Sequence, residues 1–159
     1  MKHNVIISGV IGAALLIGAF DCYAEKWDHN GFNGNGIESS FYDADSIKVQ
    51  GKMVSWTDKY IYKKDYAVNI TATLSKHPAC ATSIDKKGGV VQCQVDYQIE
   101  GGKSRGVGRR YYNKANELLC TDKDLGKDRF GTSWNKIERN SPMQNAYYDL
   151  VTRYHVILK

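Results

Sequence analysis

The side chains able to do chemistry are spread along this 159-residue chain and do not converge on one motif. Gly101-Gly102-Lys103-Ser104 ends like a phosphate-binding loop. That loop needs a glycine five positions before Gly102, where Tyr97 stands, and it should open a helix. Here it links two strand-like stretches, so it reads as a hairpin turn. Asp122, Asp124, Gly126 and Asp128 alternate as calcium ligands would, but the position that requires glycine holds Lys127, and interleaved lysines oppose a cation. Of the histidines, His29, His77 and His155 stand in no nucleophile motif. Asp43 and Asp45 have the chemistry for proton transfer, yet their place in a turn accounts for them. The expectation is a chain that is not an enzyme and holds no metal or cofactor, with an unrecognised hydrolase as the enzymatic alternative.

Cysteine use is more informative. Lys2 and His3, an apolar run from Val5 to Phe20 and the small residues around Ala24 form a Sec-type leader, residues 1–24, with cleavage after Ala24. The run is shorter than the about 20 residues of a bilayer span. Asp21 and Ala19 stand where a lipobox wants a small residue and leucine, which argues against lipidation at Cys22. Residues 25–159 then form one domain, exported to the periplasm or outer cell surface of a bacterium, with no transmembrane segment after the leader. Cys80, Cys93 and Cys120 remain, for one disulfide and one free thiol. Spacing does not fix the pairing; Cys93 lies inside a clear strand and is favoured as one partner. A zinc site of His77, Cys80, Cys93 and Cys120 would lack the second close ligand pair.

The densest basic cluster is Lys103, Arg105, Arg109 and Arg110, beside Tyr111. Its functional reading is a site for a protein or an anionic glycan. Its plain reading is a charged strand edge that resists aggregation, and the plain reading is favoured. The net charge of +5 is mild, and no basic run or aromatic RNA-binding motif indicates nucleic acid. Tyr60, Tyr62, Tyr66, Tyr111, Tyr112, Tyr147 and Tyr148 exceed what one small core hides, and tyrosine and arginine are enriched at interfaces.

These residues must be positioned by a β-rich fold. Trp27 belongs to a first strand, and Asn30 to Gly36 is a loop. Residues 36–62 read as strand, turn at Asp43–Ser46, short strand, tight turn at Gly51, and a strand in which Val54, Trp56, Tyr60 and Tyr62 share a face that Asp58 interrupts. Residues 68–74 are β-branched enough for another strand. Lys86–Gly89 reads as a turn. Val91, Cys93, Val95, Tyr97 and Ile99 alternate with polar residues, as in an antiparallel sheet wet on one side. Residues 107–113 form its partner and 117–121 an edge strand. Ser141, Pro142 and Gln144 open a helix with Met143, Ala146, Tyr147, Leu150, Val151 and Tyr154 on one stripe. The fold class is α+β: an antiparallel sheet of five to six strands with a C-terminal helix packed on one face.

The order of an N-terminal Trp, Tyr42-Asp43 with Ser46-Ile47, Val54 with Trp56, a cysteine-bearing strand, and Trp134 through Pro142 leading into a helix resembles the surface-adhesin protein E-like family of bacterial exported proteins. The resemblance covers most of residues 25–159. It implies a sheet with a C-terminal helix on it, and a non-enzymatic binding module, a surface adhesin engaging host extracellular-matrix or serum proteins. The alternative is a periplasmic accessory or inhibitor protein with a bacterial partner. Residues 152–155 lack the cysteine with which family members often tether that helix, and by that comparison the additional Cys80 and Cys120 imply a different bridge.

Overall fold

The computed structural model describes residues 26–32, 34–126 and 133–153. The expected leader (residues 1–24), Asp128, Tyr154 and His155 lie outside them. The expected α+β architecture is present, with seven strands and three α-helices among the described residues. The sheet is antiparallel. Its main path runs β1 (Trp27–His29), β2 (Ile37–Gln50), β3 (Met53–Tyr62), β4 (Gln92–Glu100), β5 (Lys103–Tyr112) and β6 (Leu118–Thr121); β7 (Asn135–Lys136) also pairs with β5. Short turns join β2 to β3 and β4 to β5, and the helical segment 63–91 joins β3 to β4. Gly51, at φ +61°, closes the β2–β3 hairpin in the left-handed region that glycine tolerates.

Asp43–Ser46 is not a turn between two strands. It is an irregularity inside one long strand, β2, between the pairs Asp43–Thr57 and Lys48–Ser55. The local bonds expected of Asp and Ser do form: the Asp45 N–H donates to Asp43 Oδ1 at 3.1 Å, and the Ser46 hydroxyl to the Asp43 carbonyl at 2.7 Å. Ser46 Oγ also accepts the Thr57 N–H at 2.8 Å, which keeps the bulged chain bound to β3. A second shift, between Ile37 and Ser39, brings Ile37 to the face of Ser40 and Tyr42.

Residues 68–74 are helical rather than extended, within α1 (Lys64–Leu74). Ala67, Ile70 and Leu74 recur at helical spacing and pack into the core, which overrides the β-branched composition. The helix α2 (Pro78–Lys87) was not expected, and Lys86 and Lys87 are its last turn, not a loop. α3 (Pro142–Arg153) was expected, with Pro142 first and the Ser141 hydroxyl accepting the Gln144 N–H at 3.2 Å. The Gln144 side chain accepts from Asn140 rather than from Ser141 itself.

The disulfide joins Cys80 on α2 to Cys120 on β6. Cys93 is buried and free, contrary to the expectation that it would be a partner. On β4 it faces the core between Tyr60 and Tyr111, while Cys80 and Cys120 sit where α2 meets the last strand. The bridge also takes up two of the four candidate zinc ligands.

Two apolar clusters form on one face of the sheet. α1 and α2 bury Leu74, Cys80 and Ile84 against Tyr62, Cys93, Val95 and Tyr111. α3 buries Leu150 against Tyr42, Val54, Trp56 and Ile99, with Met143, Ala146 and Ile137 alongside. No helix among the described residues is long and apolar enough to cross a membrane.

Candidate functional site: a tyrosine-lined cavity over Asp58

The basic cluster is divided by a bulge. β4 and β5 pair Asp96 with Gly108 but Tyr97 with Gly106, so Val107 is an extra residue and the alternation of β5 reverses there. Arg105 and Arg110 fall on the outer face. Arg105 donates through Nε to Gln98 at 2.8 Å and stacks over the Trp134 ring at 4.5 Å. Arg110 forms a two-pronged pair with Asp96, at 2.7 and 2.8 Å. Lys103 is exposed at the start of the strand. Arg109 points the other way, on the face of Tyr111, whose hydroxyl it reaches at 3.3 Å. The five residues therefore do not form one surface.

Between the two apolar clusters the inner face becomes polar. Residues 54, 56, 58, 60 and 62 of β3 alternate toward it, which carries Asp58 inward behind Trp56. Asp58 is 3% exposed. Its carboxyl accepts the Trp56 indole N–H at 2.8 Å and the Tyr60 hydroxyl at 2.7 Å. The Tyr97 hydroxyl stands 3.4 Å from that of Tyr60, and the Tyr97 ring stacks on Trp56 at 5.5 Å. Burial raises the Asp58 pKa to about 7, although both donors pull it down. The Tyr62 hydroxyl donates to Cys93 Sγ at 2.8 Å, and burial pushes the Cys93 thiol up to about 11.

Above this floor lies a cavity of about 910 Å³. Tyr42, Tyr60, Tyr62 and Tyr97 rise from the sheet, Tyr66 closes one side from α1, and Met143, Ala146 and Asp149 of α3 form the roof. Cys93 and Arg109 line it as well. Asp149 pairs through Oδ1 with Arg153 at 3.2 Å, and its Oδ2 is buried with no hydrogen-bond partner among the described residues. The size and the few convergent polar groups are those of a small-molecule site, and a buried carboxyl titrating near neutrality is a frequent mark of function.

Sequence reading did not place the site here. The one signal was Asp58 at an otherwise apolar position, since a buried polar residue is the informative anomaly. Gly106 and Gly108, two glycines within a strand, were the sign of the bulge. No family model, no curated protein and no solved structure matches the chain.

Proposed function

We propose that the protein is an exported, non-enzymatic binding module that takes its ligand in the cavity between the sheet and α3. The observation that carries this reading is the cavity itself, with a buried carboxyl, a guanidinium and tyrosine hydroxyls converging on about 910 Å³. The thiol that lines it is a poor nucleophile: Cys93 stays protonated at neutral pH and its neighbour Tyr62 is a donor, not a base. Export rests on the leader-like N-terminus and on the Cys80–Cys120 bridge, which persists in oxidising compartments.

A thermal-shift screen of residues 25–159 against amino acids, short peptides, sugars and organic acids tests this. At least one class should raise Tm, because a ligand bound only to the folded state stabilises it. The shift should disappear in Ala146→Trp, which fills the roof. No stabilising compound, or an equal shift in that variant, rejects the cavity as the site.

The outer face favours a second reading, a surface adhesin for host matrix or serum proteins, with a periplasmic accessory or inhibitor role as its alternative. The helices bury their apolar residues on the inner side, leaving the outer face to Arg105 on Trp134 and Lys59 over Trp27 at 4.0 Å. Retention on immobilised heparin should fall when Lys103 and Arg105 become Ser; unchanged retention removes the glycan form of this reading. Cell fractionation separates surface display from a periplasmic role.

A further inference from the structure

We infer that the cavity is built for a short zwitterionic peptide of two or three residues, with its ammonium between Asp58 and Asp149 and its carboxylate at Arg109. The inference rests on the cavity being the binding site and adds the chemistry of the ligand.

Three observations carry it. First, charge is divided across the floor. Asp58 pairs with Val95 across the sheet, and Val95 with Arg109. Two strand spacings put their backbones about 10 Å apart. A peptide spans about 3.3–3.6 Å per residue, so two or three residues bridge that length. A single α-amino acid, whose charges are separated by one carbon, is too short to meet both. Second, on β4, the strand between them, the residues that line the cavity are Cys93 and Tyr97, neither of them charged. Uncharged backbone and small side chains fit there better than a third charge.

Third, the acidic end has acceptor capacity to spare. The two bonds that Asp58 accepts come from neutral donors, Trp56 and Tyr60. Asp149 Oδ2 is a buried acceptor that a ligand ammonium would satisfy, and buried polar atoms are seldom left without a partner. At the other end, Arg109 is always charged and offers the forked donors that suit a carboxylate. Tyr111 supplies its hydroxyl beside it. Capture of a free amino and a free carboxyl terminus is a recurring mode of peptide recognition. The high Asp58 pKa agrees with a site waiting for a cation, since a bound ammonium would favour the ionised carboxylate.

Isothermal titration at pH 7.5 with Ala-Ala-Ala, its N-acetyl form and its C-terminal amide tests the assignment without altering the protein. The free tripeptide should bind, and each blocked form should bind at least ten-fold more weakly. Asp58→Asn should bind free and N-acetylated peptide alike; Arg109→Gln should bind free and amidated peptide alike. Blocked peptides that bind wild type as well as the free one overturn the inference.

Labelling of Cys93 by methyl methanethiosulfonate separates this failure from failure of the site. If the native thiol is labelled and the tripeptide does not slow it, the peptide is wrong and the cavity stands. If labelling at pH 9.5, where a thiol raised to about 11 is partly ionised, still requires unfolding, the cavity is closed to small molecules and both readings fall.

Discussion

Asp58 and Arg109 stand in one row of the sheet, two strands apart, with Val95 between them. Strand spacing, and not a side-chain contact, sets their separation. Asp58 is buried beside the Tyr60 hydroxyl, and Arg109 is half-buried beside that of Tyr111. The arrangement makes stability sensitive to pH and leaves two ends of opposite sign in one cavity.

The pH dependence has a definite sign. Unfolded, Asp58 titrates near 3.8; folded, near 7. The native state therefore favours the protonated acid. Its contribution is complete below pH 3.8, declines as pH rises, and is gone above about 7. The full difference is at most about 4 kcal/mol. Asn retains an acceptor for Trp56 and a donor toward Tyr60. Urea unfolding from pH 4 to 8 should show Asp58→Asn overtaking wild type toward pH 8. Parallel curves across that range would contradict the burial argument.

The Cys80–Cys120 bridge closes a separation of 40 residues and ties α2 to β6. Loop-closure entropy gives about 4 kcal/mol for a loop of that size. Replacing both cysteines by Ala should lower unfolding free energy by about 2–4 kcal/mol in urea. Replacing Cys93 with Ser should lower it less, by the desolvation of a hydroxyl beside Tyr62, on the order of 1–3 kcal/mol.

Leu150 is fully buried and fixes α3 over Trp56 and Ile99. Leu150→Ala should destabilise by about 2–5 kcal/mol. Because α3 is also the roof, native Cys93 should be labelled faster in this variant. Leu118→Ala, on an exposed side chain, should change neither quantity.

Gly36 lies at φ +80°, and a Cβ there would stand 2.3 Å from the Tyr66 ring. Gly36→Ala should cost about 1–3 kcal/mol from backbone strain alone, and more from the displaced ring. Removing that ring should recover part of the loss. In a double-mutant cycle, Gly36→Ala with Tyr66→Ala should be less destabilising than the sum of the singles. Strict additivity would show that Tyr66 gives way freely.

The sequence alone determined the strands that alternate and the helix that carries both cap and stripe. Residues 92–100 and 142–153 were legible because period and terminal signals agree there. α2 was legible too, though missed: Pro78 opens it, Cys80 and Ile84 share a face, and Gly88 closes it at φ +92°. α1 was not, because its β-branched residues favour a strand locally and only packing of Ala67, Ile70 and Leu74 reverses that preference. The site lay further from reach. One extra residue at Val107 turned Arg109 inward, away from Arg105, and set Arg110 on the face of Arg105, and a bulge is a property of two paired strands. Asp58 was visible as an anomaly in an apolar pattern. Only the register of β3, β4 and β5, and a helix more than 80 residues away in sequence, made it the floor of a cavity, because side chains distant in the chain meet only once the strands have paired.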